Sequence, residues 1–379
     1  MGFDYGLVLS GGGARGAYQV GVIRALSTLL AEWKIEDPFS IYSGVSAGAI
    51  SASYLASQCD DFTQASKNLV DLWSQLTSDQ VFRTDALSIG KIGLQWMGEL
   101  SFGSLGAQGS RTRALLDTAP LKELIENNLD FTKLQRQFEN NKLKALTLTA
   151  LDYRDSTAVS FVQGADSMPE WRNPRNLSER TKIRSEHIMA SSAIPLLFPP
   201  VEVDGRYFGD GCVRNTHPCS TSIYLGARKL FIIGVRTESL TAYEALVRAE
   251  QKPPSTGRVL NVLLNSILLD GIELDVERMR KVNEMVSWIQ RDKKTQVPYK
   301  QIDFVWICPS RDIGQVAAQK SKHLPKLIRF LLKNLGSIEE TCEIISYLLF
   351  EKQFTTELIE MGFEDGMKAK DQIKALFEA

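Results

Sequence analysis

Apolar residues fall in short blocks punctuated by glycine. Residues 5–9 form a compact apolar run that predicts a short buried strand. Gly11, Gly12, Gly13 and Gly16 follow at once. Val20, Ile23, Leu26, Leu29 and Leu30 then recur near the helical period and predict a helix. After Pro38, residues 39–42 predict a second strand, which runs into Gly44-Val45-Ser46-Ala47-Gly48 and a helix of small residues through Leu55. Strand, glycine turn and helix thus occur twice within the first 55 residues. That alternation predicts an α/β fold with a mostly parallel central sheet, its active edge at the strand C-termini.

Further strands are expected at 145–151, 160–162, 229–235 and 304–308, and helices at 61–76, 119–129 and 243–251. From about Thr237 the chain turns helix-rich and charged, and Lys252 to Gly257 reads as a loop. The division expected is a catalytic part over 1–236 and a helix-rich C-terminal extension over 237–379, packed on the first.

The chain has 379 residues, 44% apolar, with 44 basic against 45 acidic side chains and a formal charge of −1. That balance argues against broad electrostatic capture of nucleic acid or acidic lipid. The N-terminus lacks the basic and apolar regions of a Sec signal, and Gly6 stands where a myristoylation motif wants Ser or Thr. No stretch approaches about 18 uninterrupted apolar residues, so membrane contact is expected to be peripheral. The five cysteines form no C-x-x-C pair and only three histidines accompany them, which gives a zinc site poor support. No cofactor or metal is expected. A reducing, cytoplasmic location follows from the odd cysteine count, and oligomeric state is left open.

Three motifs carry chemistry. Gly44-Val45-Ser46-Ala47-Gly48 between a strand and a helix is the pattern of a nucleophile elbow, a turn so tight that the neighbours of its serine must be small. Gly44 and Gly48 meet that demand, and the following helix N-terminus favours a developing anion at Ser46. Gly11, Gly12 and Gly13 can bring backbone N–H groups close to an oxyanion. Arg15 can hold that loop or meet a phosphate or carboxylate. The same run satisfies G-x-G-x-x-G, a dinucleotide fingerprint, but the acid expected at the end of the second strand is missing: Ser43 and Gly44 stand there. In Phe208-Gly209-Asp210-Gly211-Cys212, Asp210 is flanked by Gly209 and Gly211 and can present its carboxylate as a base to a serine hydroxyl; the plainer reading is an Asp-Gly turn.

Together, Gly-Gly-Gly-x-Arg-Gly, Gly-x-Ser-x-Gly and Ser191-Ser192-Ala193-Ile194-Pro195…Phe198-Pro199-Pro200…Asp210-Gly211 resemble the patatin-like phospholipase family in order and spacing. Segments 116–121 and 150–153 are also similar to intervening stretches of that family, and 346–350 to extensions of its bacterial members. Cys212 departs from the usual small Gly or Ala. The resemblance implies a three-layer sandwich, a Ser46–Asp210 dyad without a catalytic histidine or metal, and an oxyanion hole at Gly11 to Gly13. It implies phospholipids, lysophospholipids or other acyl glycerides as substrates. His217 could complete a Ser-acid-His order, but its simpler reading is a loop residue beside Pro218. His187 reads as packed in the helix before Ala190. A catalytically silent lipid-binding protein and a nucleotide-binding protein remain the alternatives. Residues 81–105, apolar and rich in glycine, suit a lid or interfacial face as well as a packed insertion. The leucine pattern of 259–272 reads as core.

Overall fold

The structure, a computed structural model, describes residues 4–83, 114–165, 167–237, 253–289 and 299–378. The helix expected at 243–251 and the lid candidate beyond Arg83 lie outside the described residues.

The described strands are β1 (Tyr5–Leu9), β2 (Ile41–Val45), β3 (Ala145–Asp152), β4 (Thr157–Gly164), β5 (Arg172–Asn173), β6 (Asn176–Arg180), β7 (Val201–Val203), β8 (Arg206–Asp210), β9 (Lys229–Ile233) and β10 (Asp303–Ile307). They form one ten-stranded sheet in the order β10-β9-β1-β2-β3-β4-β6-β5, with β8 beside β3 and β7 beside β8. The stretch from β10 to β3 is parallel throughout, whereas β4 and β8 run antiparallel to β3. The sheet is therefore mostly parallel at its centre, with an antiparallel side that the periodicity had not announced.

Side chains alternate along these strands and divide the core into two layers. Leu7, Leu9, Tyr42, Leu146, Leu148, Phe231 and Ile233 face one apolar cluster; Val8, Ile41, Ala145, Leu230 and Ile232 face another. The helices Gly16–Glu32, Ala47–Ser57 and Phe62–Ser74 cover the first face. Pro218–Tyr224 and Asp270–Ser287 cover the second through Cys219, Ile272, Val276 and Met279. This is a three-layer α/β sandwich. Both faces of β1, β2 and β9 are buried almost throughout, as parallel strands with helices on either side require.

The later part of the chain is built into this frame. β10 extends the sheet beside β9, and helix Lys352–Lys368 lies against helix Gly16–Glu32. Their backbones approach at two glycines: a Cβ on Gly21 would stand 2.0 Å from the Ile359 carbonyl oxygen, and one on Gly362 would stand 2.1 Å from that of Tyr18. Helix Thr256–Leu268 does not follow the core reading in full. Leu268 is buried, but Val259, Val262, Leu263 and Ile267 point outward.

The glycine crossing makes a direct prediction. Gly362→Ala forces a methyl group onto a backbone carbonyl and should cost about 1–3 kcal/mol, read as a lower thermal midpoint; an unchanged midpoint would contradict so close a crossing.

Candidate active site

The sheet brings two of the motifs together by register. β2 runs beside β3 until Val45 stands opposite Thr149, and β8 comes in from the other direction until Asp210 stands opposite Ala150. β4 fills the other edge of β3 along its whole length. The end of β2 and the end of β8 therefore meet, and the next residue after Val45 is Ser46.

Ser46 caps helix Ala47–Ser57 with φ 55° and ψ −129°, a conformation side chains rarely adopt, and is 3% exposed. Small neighbours make this bend possible. A Cβ on Gly44 would stand 2.4 Å from the Gly48 carbonyl oxygen, and one on Gly48 would stand 2.3 Å from that of Leu9. Gly211 has no more room: its Cβ would fall 2.1 Å from the Thr149 carbonyl oxygen.

The serine pair of the third motif holds the bend from both sides. Ser191 Oγ accepts the Ser46 N–H at 3.0 Å and donates to the Thr149 carbonyl at 2.6 Å. Ser192 Oγ donates to the Ser46 carbonyl at 3.1 Å. Ile188 and Ala190, in the same helix as Ser191, are fully buried, so the pair is anchored by packing. Sequence reasoning quoted this pair but gave it no role; two adjacent small polar residues within an apolar stretch were the available signal.

Asp210 is fully buried. Burial pushes its carboxyl pKa up to about 6, and contacts with the Ser46 hydroxyl and with the Cys212 amide and thiol pull it partly back. Oδ1 accepts the Cys212 N–H at 2.9 Å, while Oδ2 has no hydrogen-bond partner among the described residues. The Ser46 hydroxyl thus lies close enough to favour the carboxylate without closing a well-aligned bond to Oδ2. Cys212 fits the departure expected of it: its Sγ would stand 2.3 Å from a Cβ on Gly11, and burial holds its thiol in the neutral form.

The glycine run completes the cluster. A Cβ on Gly11 would also lie 2.9 Å from Ser46 Cβ, so this backbone can pass the serine only as glycine. Gly12 and Gly13 have φ values of 153° and 56°, and among the described residues their amides donate to no loop or turn carbonyl. Arg15 turns away from the site and is 2% exposed; among the alternatives expected of it, the structure selects a carboxylate, that of Glu343.

An apolar pocket opens beside Ser46. It is a narrow cleft walled by Ile50, Leu72, Trp73, Leu76, Val81, Leu121, Leu124, Ile194, Phe198 and Phe350, with Gly13, Ser46, Ala47 and Ser192 at its head. Of the helical wall residues only Leu121 was quoted from sequence, within 116–121, because apolar periodicity does not distinguish a pocket wall from core.

The histidines stand elsewhere. His187 is fully buried against Phe161, its Nδ1 accepting the Arg184 N–H, and burial lowers its pKa. His217 bonds through Nδ1 to Thr216, beside Pro218. Among the described residues no group of His, Cys, Asp and Glu is arranged to hold a metal.

If the Ser46 backbone is strained, glycine should relieve it. Ser46→Gly should therefore melt above Ser46→Ala, by about 1 kcal/mol after the entropy of glycine is counted; equal midpoints would remove the strain from the account.

No curated protein sequence matches the chain. VipD from Legionella pneumophila is similar at 14% identity and a TM-score of 0.39, over 98% of this chain and 67% of VipD. Human GIVD cytosolic phospholipase A2 is similar at 12% identity and a TM-score of 0.40, over 99% of this chain and 60% of the human chain. The family rests instead on sequence, since the model of patatin-like phospholipases matches residues 7–222, more than half of the chain and all three motifs. The chain belongs to the patatin-like phospholipase family, a family of lipid ester hydrolases.

Proposed function

We propose that the protein is a serine acyl hydrolase of phospholipase A or lysophospholipase type, with Ser46 as nucleophile, Asp210 as base and the Gly11–Gly13 amides as oxyanion donors. One observation carries the reading most: a serine on a tight bend stands at the head of an apolar pocket, beside a buried carboxylate that has an unpartnered oxygen. The apolar lining suits an acyl chain, whose ester carbonyl would then stand at the polar head beside Ser46.

On this reading Ser46 Oγ attacks the acyl carbonyl carbon as Asp210 takes its proton. The tetrahedral oxyanion is met by the glycine-run amides and by the N-terminus of helix Ala47–Ser57. Collapse breaks the ester bond, and the departing alkoxide recovers the proton from Asp210. Water then attacks the acyl-serine, again giving its proton to Asp210, and the fatty acid leaves with Ser46 restored. A carboxyl pKa of about 6 suits this double duty, being ionised at neutral pH yet more basic than an exposed aspartate.

Contact with lipid is peripheral on the same reading; no helix of the described residues is long and apolar enough to cross a membrane. A cytoplasmic location is proposed with it. Co-sedimentation of Ser46→Ala with phospholipid vesicles tests the contact, and a protein that stays in the supernatant would count against it.

Catalysis and stability should respond to pH in opposite senses. The base must be ionised, so kcat/KM should rise with pH through about 6 with unit slope. The raised pKa means that the fold favours protonated Asp210, so the stability it contributes is present below the unfolded aspartate value and is lost as pH rises through about 6. Ser46→Ala and Asp210→Asn should each lower hydrolysis of phosphatidylcholine or lysophosphatidylcholine by about 10³-fold or more. Asp210→Asn should also gain stability relative to the unsubstituted protein as pH goes from 5 to 8. Full activity in Ser46→Ala would end the proposal, and lipid binding without turnover in the unsubstituted protein would favour a silent lipid-binding role.

A further inference from the structure

Arg15 follows the glycine run directly, yet its guanidinium is aimed at the far end of the chain. Nε donates to Ser346 Oγ at 2.7 Å, Nη1 reaches the Val235 carbonyl at 3.5 Å, and Nη2 pairs with Glu343. The guanidinium carbon lies 4.7 Å from the centre of the Tyr347 ring. Ser346 Oγ in turn donates to the Glu343 carbonyl at 2.5 Å. Glu343, Ser346 and Tyr347 all belong to one helix, Ile338–Leu348.

The same helix presses on the loop itself. Gly13 has φ 56°, and a Cβ there would stand 2.4 Å from the Tyr347 carbonyl oxygen. Two residues past the helix, Phe350 lines the pocket beside Ser46. One helix therefore touches the oxyanion loop through its backbone, through Arg15 and through the pocket wall. Burial lowers the Arg15 pKa, so a charged guanidinium in this position depends on a partner. The groups that act on it besides are Tyr347, Asp312, Cys342 and the like-charged Arg236, and the ion pair is made by Glu343.

We infer that Glu343, supported by Ser346, is a positioning residue for the reaction: through Arg15 it fixes the backbone of Gly11 to Gly13 in the orientation that receives the oxyanion. The inference rests on the reading of those amides as oxyanion donors. It assigns the motif arginine to the loop rather than to a lipid head group, because the side chain is covered and its charge is already paired. It also gives the C-terminal part of the chain a place in catalysis, since the loop geometry is completed by a helix 328 residues away in sequence.

A positioning role and a merely structural one differ in which constant they move. Oxyanion donors act on the transition state, so their misplacement lowers kcat while leaving ground-state acyl binding in the pocket intact. Glu343→Gln keeps the shape and removes the charge. It should lower kcat at least tenfold with KM within about twofold, and slow phosphonylation of Ser46 by a fluorophosphonate in parallel, when both rates are expressed per folded molecule by active-site titration. Glu343→Asp should recover part of the loss. Ser346→Ala, a milder change, should show the same kcat-against-KM split to a smaller degree and serves if Glu343→Gln folds poorly. Unchanged kcat and phosphonylation rate per folded molecule in these variants, with the unsubstituted protein still reacting at Ser46, would overturn the positioning role alone. Failure of the unsubstituted protein to react at Ser46 would overturn the hydrolase reading beneath it, and this inference with it.

Discussion

A serine held at φ 55° and ψ −129° is the constraint on which the remaining structure depends. That backbone shape costs about 1–3 kcal/mol and persists only where its surroundings leave no alternative. Here they leave none. Gly44, Gly48 and Gly11 let three stretches of backbone crowd the bend where a methyl group would not fit. Ser191 and Ser192 take up the Ser46 N–H and carbonyl, so neither group can turn to another partner. The bend sets Ser46 at the head of the pocket, at the cost of local strain and of nearly all room for larger side chains.

The second requirement is a carboxylate at the same spot, and the sheet meets it by an exchange of neighbours along β3. Where parallel β2 stops, antiparallel β8 ends in Asp210. Burial there raises the pKa to about 6, and among the described residues no aligned hydrogen bond closes on Oδ2. An orphaned buried carboxylate oxygen is unfavourable for folding alone. Its placement beside a strained serine is what gives the cost a purpose. On the proposed reading, reactivity and poor local stability have the same origin in this site.

Much of this was legible in the sequence, and for physical reasons. The β1 and β2 turns sit between strand and helix, where glycine spacing reports backbone crowding directly, so Ser46, Gly44, Gly48 and Gly11 to Gly13 could be picked out one by one. Asp210 could be named but not placed, because its position follows from pairing with β3, a non-local register that Arg206–Asp210 does not advertise in its mixed side chains. Arg15 shows the limit most plainly: a buried ion pair with Glu343 spans most of the chain and has no local signature. Helix Thr256–Leu268 failed in a different way. Its leucine spacing fits a buried stripe, yet the helix is apolar on more than one side, and Val259, Val262, Leu263 and Ile267 remain outside.

The central claim is that Ser46 is a nucleophile activated by Asp210 alone. Mass-spectrometric mapping of the adduct formed by a lipid-like fluorophosphonate tests it most directly, in the unsubstituted protein and in Asp210→Asn. One adduct is expected, on Ser46, and its formation should be lost or strongly slowed when Asp210 is replaced. An unlabelled Ser46, or labelling at full rate without the Asp210 carboxylate, would contradict it.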